Sequence, residues 1–354
     1  MPDADSGTLL THQKDKMHII NDQNIPELRR LIDGAQNIIV VCHHNPDGDA
    51  LGSSLALARY LESSGKEATV IIPDAYPDFL MWLPGTHNII RFDKHPDKAA
   101  MMLKICDLIF CLDFNNLSRL GDEMQKAVEA SKAPRILIDH HLAPDIKADF
   151  TISVPEACST SILVFQTIEQ LGGCDKIDRA AATCLYCGMM TDTGAFTYNS
   201  NDPAVYEVIA KLISKGINKD KIYRNVNWVF SVSRMRLWGH ILQNFIITDD
   251  GKATYFTISK EDIRRFNFIK GDAEGLVNMP LQIKGVKLSI SLREDTEKEN
   301  LVWVSLRSVD DFPCNEMAAR FFNGGGHLNA SGGRLYCSLK EAEEITRKAI
   351  DAML

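Results

Sequence analysis

Short, nearly unbroken apolar runs, each followed by a helical stretch, restrict the first two-thirds of this chain more than any other feature. Asn37 to Cys42 (NIIVVC) is one such run. A strand that alternates polar and apolar residues buries one face. An unbroken run buries both, as a strand inside a parallel sheet does. Asp49 to Ser64 follows, with Leu51, Leu55, Ala58 and Leu61 at helical spacing and Gly65 as a stop. Ala68 to Ile72 reads as a second strand, and Asp107 to Leu112 (DLIFCL) and Arg135 to Ile138 (RILI) as further buried ones. Helices are predicted over Ser159 to Leu171 and Asp178 to Met190. Alternation of this kind implies an α/β domain, doubly wound around a mostly parallel sheet.

The pattern changes after Asn201. Residues 201–228 are helical and charged and read as a connector between domains. Beyond it, Ala253 to Ile258, Lys287 to Leu292 and Leu301 to Leu306 alternate as half-buried strands do, and Asn315 to Phe322 and Leu339 to Met353 read as helices. The expected organisation is a loose polar tail at 1–16, a catalytic domain at 17–200, a connector at 201–228 and a smaller α+β domain at 229–354. Arg234 and Arg236 read as ordinary surface charge. The length of 354 residues suits two domains of usual size.

Charge and cysteine content narrow the function. A net charge of -8 leaves no general basic footprint for duplex DNA, so a nucleic-acid substrate must be gripped locally. Nine cysteines, an odd number without framework spacing, and a tail without an apolar leader segment point to reduced thiols and a cytoplasmic setting. Cys184 and Cys187 have half the spacing of a zinc site, but they sit on a predicted helix and read as packing. No apolar run approaches the length of a membrane span, so no membrane partner is expected.

Chemistry concentrates where strands end. His43-His44-Asn45-Pro46-Asp47-Gly48-Asp49 follows the first strand and opens a helix. In open α/β sheets ligands bind beyond the carboxyl ends of the strands. Gly48, between two aspartates, is expected to let the loop turn sharply and aim both carboxylates into one space. Alone, the segment also reads as a Pro-Asp-Gly turn with a capping aspartate. But Asp113 ends another strand, and Asp139, His140 and His141 end a third. Carboxylates gathered this way repel one another unless cations join them. Asp192, in MTDTGAF, closes a predicted helix.

HHNPDGDALGS, the lone Asp113, the triplet Asp139-His140-His141 and MTDTGAF around Asp192 resemble, in order, the four motifs of the DHH phosphoesterase superfamily. Gly324-Gly325-Gly326-His327 resembles the glycine-rich signature of the DHHA1 domain that follows it in one branch. The resemblance runs from about Met17 to Leu354, and the two-domain length resembles the nanoRNase-type members. Those act as oligoribonucleases and as phosphatases of 3'-phosphoadenosine 5'-phosphate. The resemblance implies that His43 and Asp47 bind one metal, that Asp49, His140 and Asp192 bind another, and that Asp113 bridges them. It implies that His141 faces the substrate phosphate and that Asp139 orients the two histidines. His44 holds a variable position and is not expected to be a ligand. Arg307 resembles a substrate-binding arginine, and Gly325, Gly326 and His327 would shape the same subsite, in a cleft between the domains. On their own, the glycines read equally as a helix C-cap.

Two cations would neutralise phosphoryl oxygens and lower the pKa of a shared water. An Asp and His set without cysteine suits Mn²⁺; Mg²⁺ prefers oxygen ligands, and Co²⁺ or zinc also fits the donors. The expected substrates are short single-stranded RNA and nucleotides, with the dimeric state left open. An exopolyphosphatase or pyrophosphatase, or a phosphodiesterase of linear dinucleotides such as pApA or pGpG, shares the catalytic half. A non-catalytic nucleotide-binding module would have lost a ligand, and all six proposed metal ligands are present.

Overall fold

The computed structural model describes residues 18–228, 230–269 and 271–354, so the tail expected at 1–16 lies outside the described residues. The chain divides into two compact units, Met1–Val229 and Phe230–Leu354.

In the first unit, β1 (Asn37–Cys42), β2 (Glu67–Ile72), β3 (Ile90–Arg91), β4 (Leu108–Leu112), β5 (Arg135–Asp139) and β6 (Phe150–Ser153) form one parallel sheet. Its order is β3-β2-β1-β4-β5-β6. Helices α1 (Ile25–Asp33), α2 (Gly48–Ser63), α3 (Pro96–Ile105), α4 (Asp122–Ala130), α5 (Thr160–Gln170), α6 (Arg179–Asp192), α7 (Pro203–Ser214) and α8 (Lys219–Asn227) complete it. The central strands are buried on both faces, as their unbroken apolar runs require. Ile38, Val40, Phe110 and Ile138 pack with α2, α5 and α6 on one side. Ile39, Val41, Ile109 and Leu137 pack with α3 and α4 on the other. The strand order reverses between β1 and β4. Loops leaving those neighbours diverge there and open a crevice at the carboxyl edge.

Helices α7 and α8 occupy the segment read as a connector. Val205, Val208, Leu212, Ile222 and Val226 are buried in the core of the first unit, so these helices pack as part of it. Each presents apolar residues at helical spacing, which the flanking charge obscured in the sequence.

The second unit holds β7 (Ile246–Ile247), β8 (Ala253–Ile258), β9 (Leu288–Glu294), β10 (Val302–Ser308), β11 (Gly325–His327) and β12 (Ala330–Leu335), in the order β11-β12-β10-β9-β8-β7. Only β8 and β9 pair in parallel among these described strands. Helices α9 (Val232–Asn244), α10 (Lys260–Arg265), α11 (Cys314–Phe321) and α12 (Leu339–Met353) surround the sheet. Leu288, Ile290, Val304 and Leu306 face α11 and α12. Phe256 and Ile258, on the reverse face, pack with Leu237, Ile241 and Leu276. Only β10 alternates strictly between buried and half-buried residues; β8 is almost wholly buried because helices cover both its sides.

Two sequence expectations change here. Arg234 is buried, with its guanidinium 3.6 Å from the centre of the Phe230 ring and a bond to the Glu274 carbonyl, while Arg236 remains at the surface. A cation stacked on an aromatic face can be buried where a bare charge would not be. The glycine loop is a strand: Gly325–His327 pairs with β12 as an edge. Neither strand has the β-branched alternation that would have revealed it.

Candidate metal centre

His43 leaves the end of β1, Asp113 leaves the end of β4, and Asp139 to His141 leave β5, so the sheet delivers all of them to the crevice edge. Asp113 takes a left-handed backbone, φ 66°, which turns the chain sharply as the strand stops. Asp47 is the N-cap of α2. One of its oxygens accepts the amides of Asp49 and Ala50, both at 3.0 Å, and the other lies 3.8 Å from His43 Nε2. The capping role of this residue therefore occupies one oxygen and leaves the other turned toward His43.

The glycine between the two aspartates works differently from the turn expected of it. Gly48 is the first residue of α2, and an added Cβ would stand 2.3 Å from Thr191 Oγ1. A Cβ on Gly52 would meet the Cys184 carbonyl at 2.5 Å, and one on Gly188 would meet Ser161 Oγ at 2.0 Å and Asp49 Oδ1 at 2.9 Å. Gly52 lets α2 meet the backbone of α6, Gly48 leaves room for the Thr191 side chain, and Gly188 leaves room for Ser161 and Asp49; the close approach brings Asp49 and Asp192 into one space.

Around Asp113 the candidate ligand atoms separate into two groups. Its Oδ2 lies 3.5 Å from His43 Nε2, and its Oδ1 lies 3.5 Å from His140 Nε2. His140 Nε2 is also 3.5 Å from Asp192 Oδ2 and 4.0 Å from Asp49 Oδ2. These separations are at or beyond the limit of a hydrogen bond. They are close to the roughly 3.0–3.4 Å between two ligands that share one ion at about 2.1 Å. His43, Asp47 and Asp113 each offer a ligand atom within 4.8 Å of the others, as do Asp49, Asp113 and His140.

The imidazole tautomers support the same use. His43 Nδ1 lies 2.9 Å from the His44 carbonyl, and His140 Nδ1 lies 3.1 Å from the Ala157 carbonyl. A carbonyl only accepts, so each Nδ1 carries the proton and each Nε2 faces the carboxylates. His141 Nδ1 donates to Asp139 at 2.7 Å. Asp139 thus orients His141, while a backbone carbonyl holds His140. His44 turns away, with Nε2 3.6 Å from Asp74.

The cluster is short of positive charge. Burial, then the charges of Asp113 and Asp192, push Asp49 well above the usual carboxylate range, and burial pushes Asp192 up to about 7. Burial opposes a charge on His43 and His140, yet Asp113 and the other carboxylates raise both above the usual imidazole range. Burial also opposes the charge of Asp113, but the two histidines outweigh it and hold that carboxyl well below its ordinary value. A divalent cation on either side of Asp113 would supply what the protein lacks, and the Asp and His donors fit one.

In the second unit, Arg307 and His327 stand in register with the same residue, Ala330, from strands on either side of β12. Directly opposed residues share a face, so the guanidinium and the imidazole rise from one face of the sheet. Gly325, Gly332 and Ser305 form the next row. Gly324 and Gly326 are required by packing: a Cβ on the first would meet the Gly332 carbonyl at 1.9 Å, and one on the second the Ala330 carbonyl at 2.5 Å. A Cβ on Gly325 would meet no atom.

Residues 37–189 match the DHH family, N-terminal domain, and residues 250–354 match the DHHA1 domain. The solved structure of an exopolyphosphatase-related protein from Bacteroides fragilis is 47% identical and superimposes with a TM-score of 0.90, covering 95% of this chain and 97% of that one. The chain belongs to the DHH/DHHA1 phosphoesterase family. Relatives include the bifunctional oligoribonuclease and PAP phosphatase NrnA of Bacillus subtilis, 26% identical over 90% of this chain and 95% of that protein. The cyclic-di-AMP phosphodiesterase PdeA of Listeria monocytogenes is 24% identical over 92% of this chain and 49% of its own length.

Within the DHH domain, the structure adds residues that the sequence did not single out. At the start of α5, the Thr160 amide and hydroxyl reach Asp49 and Asp113, the Ser161 amide reaches Asp49, and Ser159 caps the helix. In the sequence, Ser-Thr-Ser before an apolar run signals a helix start and nothing more.

Proposed function

We propose that this protein is a two-metal phosphoesterase that hydrolyses short oligoribonucleotides to mononucleotides and 3'-phosphoadenosine 5'-phosphate to AMP. The observation that carries the two-metal part is Asp113, whose two oxygens face different histidines. His43 and Asp47 would hold one ion, and Asp49, His140 and Asp192 the other, with Mn²⁺ favoured by the mixed donors. Bound there, the pair of cations would neutralise the phosphoryl group and activate water. His141, oriented by Asp139, would present Nε2 to a phosphoryl oxygen. Arg307 would grip a phosphate through its guanidinium, and His327 and the open backbone at Gly325 would receive the adjoining nucleotide.

The substrate choice rests on the near full-length similarity to an oligoribonuclease and PAP phosphatase. It also rests on a net charge of -8, which disfavours long polyanions and leaves short ones to local cations. The similarity to an exopolyphosphatase-related protein supports a second reading, in which polyphosphate is cut at the same centre. A substrate panel with Mn²⁺ separates them: labelled di- and trinucleotides, adenosine 3',5'-bisphosphate, pApA, pGpG, polyphosphate and pyrophosphate. Release of mononucleotides and AMP, with polyphosphate untouched, is the expected result. Turnover of polyphosphate alone would replace the nucleotide reading.

A further inference from the structure

Two carboxylates of the centre, Asp49 and Asp113, come from elements far apart in the chain, and one residue touches both. Thr160 is the first residue of α5. Its amide donates to Asp49 Oδ2 at 2.6 Å, and its hydroxyl donates to Asp113 Oδ1 at 2.9 Å. The next amide, of Ser161, donates to Asp49 Oδ1 at 2.9 Å. Ser159, the N-cap, takes the third free amide of the helix, that of Ile162, at 3.2 Å. All three residues are buried.

The helix start is therefore divided between two tasks. The Ser159 hydroxyl secures the helix itself. The two amides left over hold both oxygens of Asp49, a favourable place for a carboxylate because the helix end carries partial positive charge. The Thr160 hydroxyl then reaches the oxygen of Asp113 that faces His140 rather than the one that faces His43. A carboxylate turns about its last bond with little resistance. If Asp113 turned, its two oxygens would no longer address two different histidines.

We propose that Thr160 is a positioning residue that fixes the spacing and plane of Asp49 and Asp113, and thereby the affinity of the metal position on the His140 side. The inference rests on the two-metal reading. Valine has nearly the shape of threonine without the hydroxyl, so Thr160→Val leaves the amide on Asp49 and frees only Asp113. Loss of such an outer contact lowers metal affinity by about 10–100-fold. The larger effect falls on the His140 side, because the lost bond is to the oxygen on that side. The position at His43 and Asp47, which also has the capping carboxylate of Asp47, loses less.

The experiment is calorimetric titration of Mn²⁺ into the metal-free full chain, with electron paramagnetic resonance at each step to detect an exchange-coupled pair. Wild type, Thr160→Val, Thr160→Ala and Thr160→Ser are compared, each with a melting curve of the metal-free form. Wild type is expected to take two ions and show the coupled signal. The valine and alanine variants should lose about 10–100-fold at one position and less at the other, and reach the coupled signal at correspondingly higher Mn²⁺. Serine should restore both readouts. If wild type binds two ions and either hydroxyl-free variant folds and matches it in affinity and signal, the proposal fails alone. If wild type binds one ion, the two-metal reading fails and takes the proposal with it.

Discussion

The two halves of the centre share Asp113 and are otherwise built on different principles. His43 and Asp47 lie four positions apart, and each is held locally: the imidazole by the next carbonyl, the carboxylate by amides two and three residues on. The Asp47 side chain is 55% exposed. Asp49, His140 and Asp192 come from α2, the end of β5 and the end of α6, and their supports are distant too: Asp49 rests on amides of α5, and His140 on Ala157. Their side chains are 1%, 4% and 28% exposed. One half is a local turn in which Asp47 alone is open to water, and the other exists only when the domain is packed. Burial raises Asp49 and Asp192 in the second half, so that half depends more on a cation.

Asp113 is the one element both halves need. Asp113→Ala should lower turnover by about 1,000-fold or more and remove cooperation between the metals. Activity near wild type in the substrate panel would break the comparison at its root. Below that effect lies the difference between the halves. During stepwise chelation of the Mn²⁺-loaded protein, the ion beside exposed Asp47 should leave before the ion in the buried half, because pre-oriented buried ligands hold a metal longer. Metal content per chain, measured after each step, should pass through a plateau at one ion. A single two-ion step would mean that burial does not distinguish the halves.

Packing gives the next contrast. Gly188→Ala puts a methyl group against Ser161 and Asp49 and should destabilise by about 1–3 kcal/mol while lowering metal affinity. Gly325→Ala meets open space in the DHHA1 domain and should change stability by no more than about 0.5 kcal/mol. Its effect, if the substrate reading is right, appears in KM. Denaturant midpoints for both variants check the pair. The smallest effect belongs to Asp178, which caps α6 through the Ala181 amide and pairs with Arg59 on the surface. Asp178→Ala should cost about 1 kcal/mol with metal binding unchanged. A change in metal affinity there would show that the centre feels the whole of α6.

The loop between β1 and α2 was legible because its signal is contiguous. His43, Asp47 and Asp49 follow a strand and open a helix within a few residues, and the elements around them lie where their apolar patterns place them. The supporting shell was not legible. Thr160 and Ser161 look like any helix start, and Ala157 acts through a backbone carbonyl that its side chain does not announce. Gly48 was legible as important, but for the wrong cause, because a glycine that allows helix contact and one that allows a turn look alike in a sequence. The connector reading of 201–228 missed that apolar faces on α7 and α8 had a core to join.

By itself the sequence determined the layered α/β organisation of the DHH domain, the strand ends that carry acids and imidazoles, and the order of the motifs. Those depend on short-range periodicity and on local turns, which residues near one another in the chain control. Only the tertiary structure decided which oxygen of Asp113 faces which histidine, that Asp49 is held by the start of α5, and that Arg307 and His327 share a row across β12. Such pairings depend on how closely two helices or strands approach. That distance is set by the absence of side chains at Gly48, Gly52 and Gly188 and by strand register, neither of which any single stretch of sequence contains.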